Sequence, residues 1–344
     1  MVNKSRIVYI DIIRVVACAM VILMHTPHPE AGVPGFIQVP IYFLTAGGLV
    51  LFFMVSGALL LPTKMSTQQF LKRRIGKIAG PWLFWTLFYM AINISQKGLS
   101  SSVVDELFVY VSSPGRHVMW FMFVLLALYL ITPILSFFVQ NATKNEIIFY
   151  LFLWCITLIL PWLSPYTALN LEISSPLYYF SGYVGYFLLG YYLHTYRPNI
   201  VKYAILLIAL PLVAKLIYSM MDGQRSDELF WYLSIPVMLL SVAYFTIFQK
   251  AFDGKEMPVL VRVSGGGELL ERFSNCSFGI YLIHIFIMRN LLWKVDFIVY
   301  GLGWIGQMVM TWTLTFLISF AITWAISYIP YSEYIIGYSS RKKI

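Results

Sequence analysis

The sequence predicts an all-α protein that crosses a membrane about ten times, with both termini on the cytoplasmic side. Three observations carry this expectation. The 344 residues are 60% hydrophobic and only 11% charged, with a mean hydropathy of +0.77, which is too apolar for a soluble domain. The apolar runs are about 20 residues long, the length that spans a bilayer. The basic residues also fall unevenly: with the N-terminus inside, 17 Lys and Arg lie in inner segments and five, Lys97, Arg116, Arg225, Arg289 and Lys294, in outer ones. Such an asymmetry orients a membrane protein, and it accounts for the net charge of +9 without any nucleic-acid partner.

Dividing the chain at its polar, Pro-rich and Gly-rich breaks predicts spans at 7–25, 40–62, 78–95, 117–139, 146–163, 177–194, 200–220, 229–249, 276–293 and 301–329. The first begins like a signal peptide, with Lys4 and Arg6 ahead of an apolar run, but Asp11 and Arg14 interrupt it and no small-residue cleavage site follows. The second holds "LFFMVSGALL", where Ser56 and Gly57 suit close helix packing. The third follows "FLKRRIGKIAGPWLFW", which puts Lys72, Arg73, Arg74 and Lys77 at its inner entrance. The fourth starts at His117 and Trp120, a position typical of an interfacial aromatic belt.

The fifth, sixth and eighth spans are ordinary in length, and the seventh carries Lys215 inside the membrane. The segment "VSGGGELLERFSNCS" predicts a glycine hinge before a short amphipathic piece, since its glycines have neither the Walker nor the dinucleotide spacing. The ninth span places His284 about nine residues in, near mid-membrane, and the tenth is long enough to be tilted. The expected organisation is a single membrane domain over 1–344 with no appended soluble domain and no internal repeat. Cys18, Cys155 and Cys276 lie far apart in apolar runs, so neither a disulfide framework nor a metal site is expected.

The first span holds the strongest chemical signal. Charged side chains inside a bilayer cost a few kcal/mol unless paired or hydrated, and they are functional by default. At 100° per residue, Arg14 and His25 differ in direction by about 20° and are separated by roughly 16 Å along the helix. Asp11 lies one turn from Arg14, within reach of an ion pair. Cys18 and Val21 line the stripe between Arg14 and His25 with small side chains. The expectation is a polar seam joining the two faces of the membrane, with His28 and Glu30 just beyond it. Taken alone, Asp11 and Arg14 suit a packing pair, and His25 suits a hydrated helix end. Arg74 and Lys77 stand at i and i+3, the spacing that clamps one phosphate from a single helix face.

In this order, "IDIIR" with His25, "FFMVSG", "KRRIGKIAGPW", "WFMFVLLALYLITPIL", "YFLLGYYL" and "SFGIYLIH" resemble the membrane acyltransferase 3 family over nearly the whole chain. The resemblance implies a ten-helix bacterial inner-membrane O-acyltransferase that moves an acyl group, acetyl by default, from cytoplasmic acyl-CoA to a surface glycan or lipid-linked sugar at the outer face. The chain resembles the short members that acetylate surface-polysaccharide precursors such as enterobacterial common antigen. The resemblance implies catalytic roles for Arg14 and His25 and a donor site at Arg74 and Lys77, with Ser56 at a matching motif position; beside these, Asp11 is expected to hold Arg14, and Arg73 of the basic cluster to join the donor site. Lys77 stands where the family often has arginine, offering a point charge in place of a fork. His284, His117 and Trp120 are further candidates, and no metal is implied. A transporter or flippase for a lipid-linked sugar is the rival reading, and a sensor domain without chemistry is a third.

Overall fold

The computed structural model describes residues 6–98, 119–163, 175–253 and 266–340. Its main helices are α1 Val8–His25, α2 Gly35–Leu60, α3 Thr67–Lys97, α4 Trp120–Asn141, α5 Lys144–Leu163, α6 Val184–Tyr196, α7 Ala204–Met221, α8 Ile235–Phe252, α9 Gly266–Phe286 and α10 Gly303–Ile326. No strand occurs among the described residues. Nine helical segments there are long and apolar enough to cross a membrane. The sixth expected span differs, because α6 has only 13 residues and follows a separate 3₁₀ turn, Pro176–Phe180. At 1.5 Å per residue α6 covers about 20 Å of a hydrocarbon core of about 30 Å.

Several helices start earlier than the hydropathy suggests. α2 starts at Gly35, and α3 starts at Thr67, capped by the Ser66 hydroxyl accepting from the Gln69 amide at 3.4 Å. The basic cluster at 72–77 therefore lies within α3 and not at its threshold. α9 starts at Gly266, so the amphipathic piece expected before the ninth span is that helix's own first turns. Of the three glycines of the expected hinge, Gly266 and Gly267 open α9 and Gly265 lies outside the described residues, as do His117 and most of the outer loops 96–116 and 164–176.

α1 and α2 form the centre of the bundle. α1 packs against α2, α8, α9 and α10, so its charged residues face protein and not lipid. α2 is fastened to α6 by a reciprocal glycine contact: a Cβ on Gly57 would meet the Phe187 carbonyl oxygen at 1.8 Å, and one on Gly190 would meet the Met54 carbonyl oxygen at 1.9 Å. Two motifs, "FFMVSG" and "YFLLGYYL", thereby receive a physical reason, since only backbone that close lets two helices touch without a side chain between them.

α10 turns Gln307, Thr311, Thr315, Ser319 and Thr323 inward, each at most 1% exposed, and its Trp312 indole donates to the Ala19 carbonyl at 2.9 Å. Gln307 joins α10 to the end of α1 by donating to the Thr26 carbonyl at 3.0 Å, and the small residues that follow at every fourth position let α10 pack closely. After α10 the chain turns back through a short helix, Glu333–Ile336, whose Ile335 carbonyl accepts from Trp85 of α3 at 2.9 Å. This return segment covers the end of the bundle where α1 begins and α9 begins.

Candidate functional site

At that end α1, α2, α3, α4, α9 and the return segment enclose a cavity of about 260 Å³. Each helix contributes one face at helical spacing: Phe52, Val55 and Ser56 from α2, Arg74, Lys77 and Ile78 from α3, Leu125 and Tyr129 from α4, and Ser274, Ser277, Phe278 and Tyr281 from α9. Arg14 supplies the α1 wall, and Gly337 and Tyr338 close the cavity from the return segment. The lining holds three cations, Arg14, Arg74 and Lys77, and no carboxylate. Arg14 makes no ion pair among the described residues, and the Arg74 Nε is buried without a hydrogen-bond partner while its guanidinium lies 6.0 Å from the Phe70 ring centroid. Half-buried guanidinium charge, with neither Arg14 nor Arg74 in an ion pair among the described residues, makes a cavity suited to a polyanion, and the exposed Lys77 adds charge at its rim.

Four residues expected from sequence, Arg14, Ser56, Arg74 and Lys77, thus meet in one place. Arg73 does not: it is exposed and outside the cavity, because it lies 100° around α3 from Arg74. Tyr129, Asn275, Ser277, Tyr281 and Tyr338 were not singled out in the sequence, because aromatic and small polar residues in apolar runs read as packing. The signal that finds them is the continuation of helical faces, 274, 277, 278 and 281 on α9 above all. The Ser56 hydroxyl donates to the Phe52 carbonyl at 2.8 Å while its side chain lines the wall.

Asp11 corrects the sequence expectation. It does not pair with Arg14. Its carboxylate accepts from Arg6 at 2.9 and 3.0 Å and from the Ser274 hydroxyl at 2.5 Å, and Arg6 also reaches Glu271 at 2.8 Å. Arg6 sits just before the helix, where its long side chain folds back over the first turn. The Arg6–Asp11–Ser274 knot ties α1 to α9 beside the cavity and leaves Arg14 to face it.

The stripe between Arg14 and His25 is packed closed. Cys18 and Val21 are buried, and the Cys18 thiol donates to the Ser277 carbonyl at 3.7 Å. The small side chains expected along the stripe thus leave room that α9 fills. That helix also carries His284 to the far end of α1: the His25 and His284 ring centroids lie 5.7 Å apart. His284 is the nineteenth residue of α9 and level with His25, because the helix begins ten residues before the expected span. The rings of Tyr281 and His284 are 5.5 Å apart, so the cavity, Tyr281, His284 and His25 form one continuous line through the bundle.

Beyond His25, the His28 ring packs on Trp293 with centroids 4.8 Å apart and accepts from the Glu30 amide, while Glu30 accepts from the Tyr300 hydroxyl. Neither His28 nor Glu30 takes part in holding His25. Trp120 packs with Tyr183 and Tyr232 at 5.8 and 5.4 Å, and the Tyr232 hydroxyl reaches the Met24 sulfur at 3.8 Å, one residue before His25. No cluster of three or more potential metal ligands occurs among the described residues.

Fold and site define a multi-pass membrane protein with a cationic cavity at one end and a histidine pair toward the other. A family model described as an acyltransferase domain, acyltransferase 3, matches residues 7–330, and the chain belongs to that family. Searches of curated proteins and of solved structures each found no match. The protein is a membrane acyltransferase.

Proposed function

We propose that this acyltransferase takes an acyl group, acetyl by default, from acyl-CoA at the cytoplasmic face and places it on a hydroxyl of a surface glycan or lipid-linked sugar at the outer face of the bacterial inner membrane. The observation that carries the reading is the cavity walled by the guanidinium groups of Arg14 and Arg74, neither of them ion-paired among the described residues, with Lys77 at its rim. Coenzyme A is a polyanion on a long thin arm, and charge-assisted bonds from guanidinium groups are the strong way to hold phosphate. A cavity of about 260 Å³ is small beside ligand pockets of about 300–1,000 Å³, so it takes part of the coenzyme and leaves the rest outside. With both termini cytoplasmic, as the basic loops suggest, the cavity opens inward and His25 lies near the outer face.

In the proposed step, a sugar hydroxyl oxygen attacks the thioester carbonyl carbon and the carbon–sulfur bond breaks. His25 takes the hydroxyl proton as general base and returns it to the departing thiolate, so no proton is consumed. Arg14, roughly 16 Å from His25 along α1, positions the donor in the cavity. Asp11 acts at one remove, fixing α1 against α9 through Arg6 and Ser274. Ser56 and Lys77 complete the donor cavity.

Incubating the purified protein in detergent with labelled acetyl-CoA and candidate glycans tests the proposal. Label appears on a glycan with the wild type and is lost in His25→Ala and Arg14→Ala, which still reach the membrane. Undiminished transfer by His25→Ala would remove the mechanism, and a protein that carries sugar but transfers no label is a transporter.

A further inference from the structure

α9 carries its polar face past the cavity. Three residues beyond Tyr281, the His284 ring is 1% exposed, and its Nδ1 lies 2.5 Å from the Tyr281 carbonyl oxygen. A carbonyl oxygen only accepts, so Nδ1 carries the hydrogen and the neutral ring presents a bare lone pair at Nε2. That Nε2 is buried and has no hydrogen-bond partner. A buried acceptor without a donor is rare and costly, most of all in a bundle that excludes water. The other buried-side imidazole, His194, is satisfied in contrast by the Tyr9 hydroxyl.

The polar ring packed beside His284 on the neighbouring helix is His25, with centroids 5.7 Å apart and planes inclined by 36°. No hydrogen bond among the described residues holds the His25 ring. Turning one of the His25 nitrogens toward Nε2 and closing the two rings by a few tenths of an ångström brings the pair to the ordinary length of such a bond.

We propose that His284 is the positioning residue for His25: its Nε2 accepts the His25 N–H and leaves the other His25 nitrogen as the lone pair that meets the acceptor hydroxyl. The inference rests on the acyl-transfer reading above and assigns the step that reading leaves open, the choice of His25 tautomer. In soluble triads a carboxylate orients the base histidine. A second imidazole does the same without placing a fixed negative charge in the membrane, where charge is expensive. The Tyr281 carbonyl fixes the His284 tautomer, His284 fixes that of His25, and the relay ends at the reacting oxygen. When His25 takes the hydroxyl proton, the positive charge is steadied by the N–H···N bond until the proton passes to the thiolate.

The test compares His284→Leu with His284→Gln, whose side-chain carbonyl can stand near the position of Nε2. General-base proton transfer contributes about 10²–10⁴-fold, and a histidine held in the wrong tautomer forfeits it. His284→Leu is therefore expected to lower kcat at least 100-fold with KM for acetyl-CoA changed less than twofold, and His284→Gln to recover at least tenfold of the loss. Wild-type kcat in His284→Leu overturns the proposal. So does a loss that His284→Gln fails to rescue and that comes with weaker coenzyme A binding and a lower unfolding temperature, the pattern of a packing residue. Nitrogen-15 NMR of histidine-labelled protein gives a readout independent of turnover. A nitrogen–nitrogen coupling between the two rings, absent in His284→Leu, supports the pair, and its absence in folded wild type overturns it. If the coupling is present but wild type acylates no acceptor, the pairing stands and the acyl-transfer reading falls.

Discussion

Arg73 and Arg74 are neighbours on α3 with the same charge and the same weight as topology signals, yet only Arg74 enters the cavity wall. Its Nε is buried and unpartnered, so it is poised to donate to a ligand and gains nothing from solvent. A hydrogen bond to a charged group contributes about 1.5–3 kcal/mol. At 1.4 kcal/mol per factor of ten, Arg74→Ala weakens coenzyme A binding about 10- to 150-fold. Arg74→Lys recovers only part of this, because an ammonium lacks the planar fork. Arg73→Ala removes an exposed charge worth at most about 1 kcal/mol. Its effect is under about fivefold and fades at 1 M salt, where the Debye length is about 3 Å. Calorimetric titration of coenzyme A into purified wild type and the three variants, at low and high salt, measures all of this. Equal losses at positions 73 and 74, or no loss at 74, would refute the assignment of the cavity to the donor.

The return segment closes the cavity, so Tyr338→Ala raises KM for acyl-CoA several-fold with a smaller change in kcat, read from initial rates. Gly57→Leu and Gly190→Leu each force a side chain into carbonyl oxygens less than 2 Å from a Cβ, and neither protein accumulates as a monodisperse species in gel filtration. Asp11→Asn loosens the Arg6 and Ser274 knot and lowers stability by about 1–3 kcal/mol, seen as a drop in unfolding temperature, while coenzyme A affinity falls less than for Arg74→Ala. Lys215 is buried with its Nζ 2.7 Å from the Asp227 carboxylate, so Asp227→Asn strands a cation and destabilises more than Lys215→Met, which removes the charge altogether. Paired thermal melts decide the order.

Much of this was legible in the chain. Long apolar runs can only be helices in a bilayer, and the i, i+3 spacing of Arg74 and Lys77 brought both to one cavity with Arg14 and Ser56. The partners were not legible. Asp11 takes Ser274 from across the bundle and Arg6 from outside the span, so nearness in sequence wrongly suggested Arg14. The depth of His284 depended on where α9 starts, and a Gly-rich, charged opening such as 266–275 hides a helix from hydropathy. The short α6 was masked by the apolar 3₁₀ turn before it, which lengthens the run without lengthening the helix. Tyr338 could not be placed at all from a tail beyond the last span, since it reaches the cavity only by tertiary packing.

Transfer across a sealed bilayer tests the central claim most directly. In proteoliposomes whose orientation is fixed by labelling an introduced surface cysteine, labelled acetyl-CoA is supplied on the face bearing Arg74 and an acceptor glycan on the face bearing His25. Acetyl-glycan is expected in that arrangement, with none when donor and acceptor exchange sides and none with His25→Ala. Equal product in both arrangements, or product from His25→Ala, would contradict a donor cavity at one face feeding a histidine at the other.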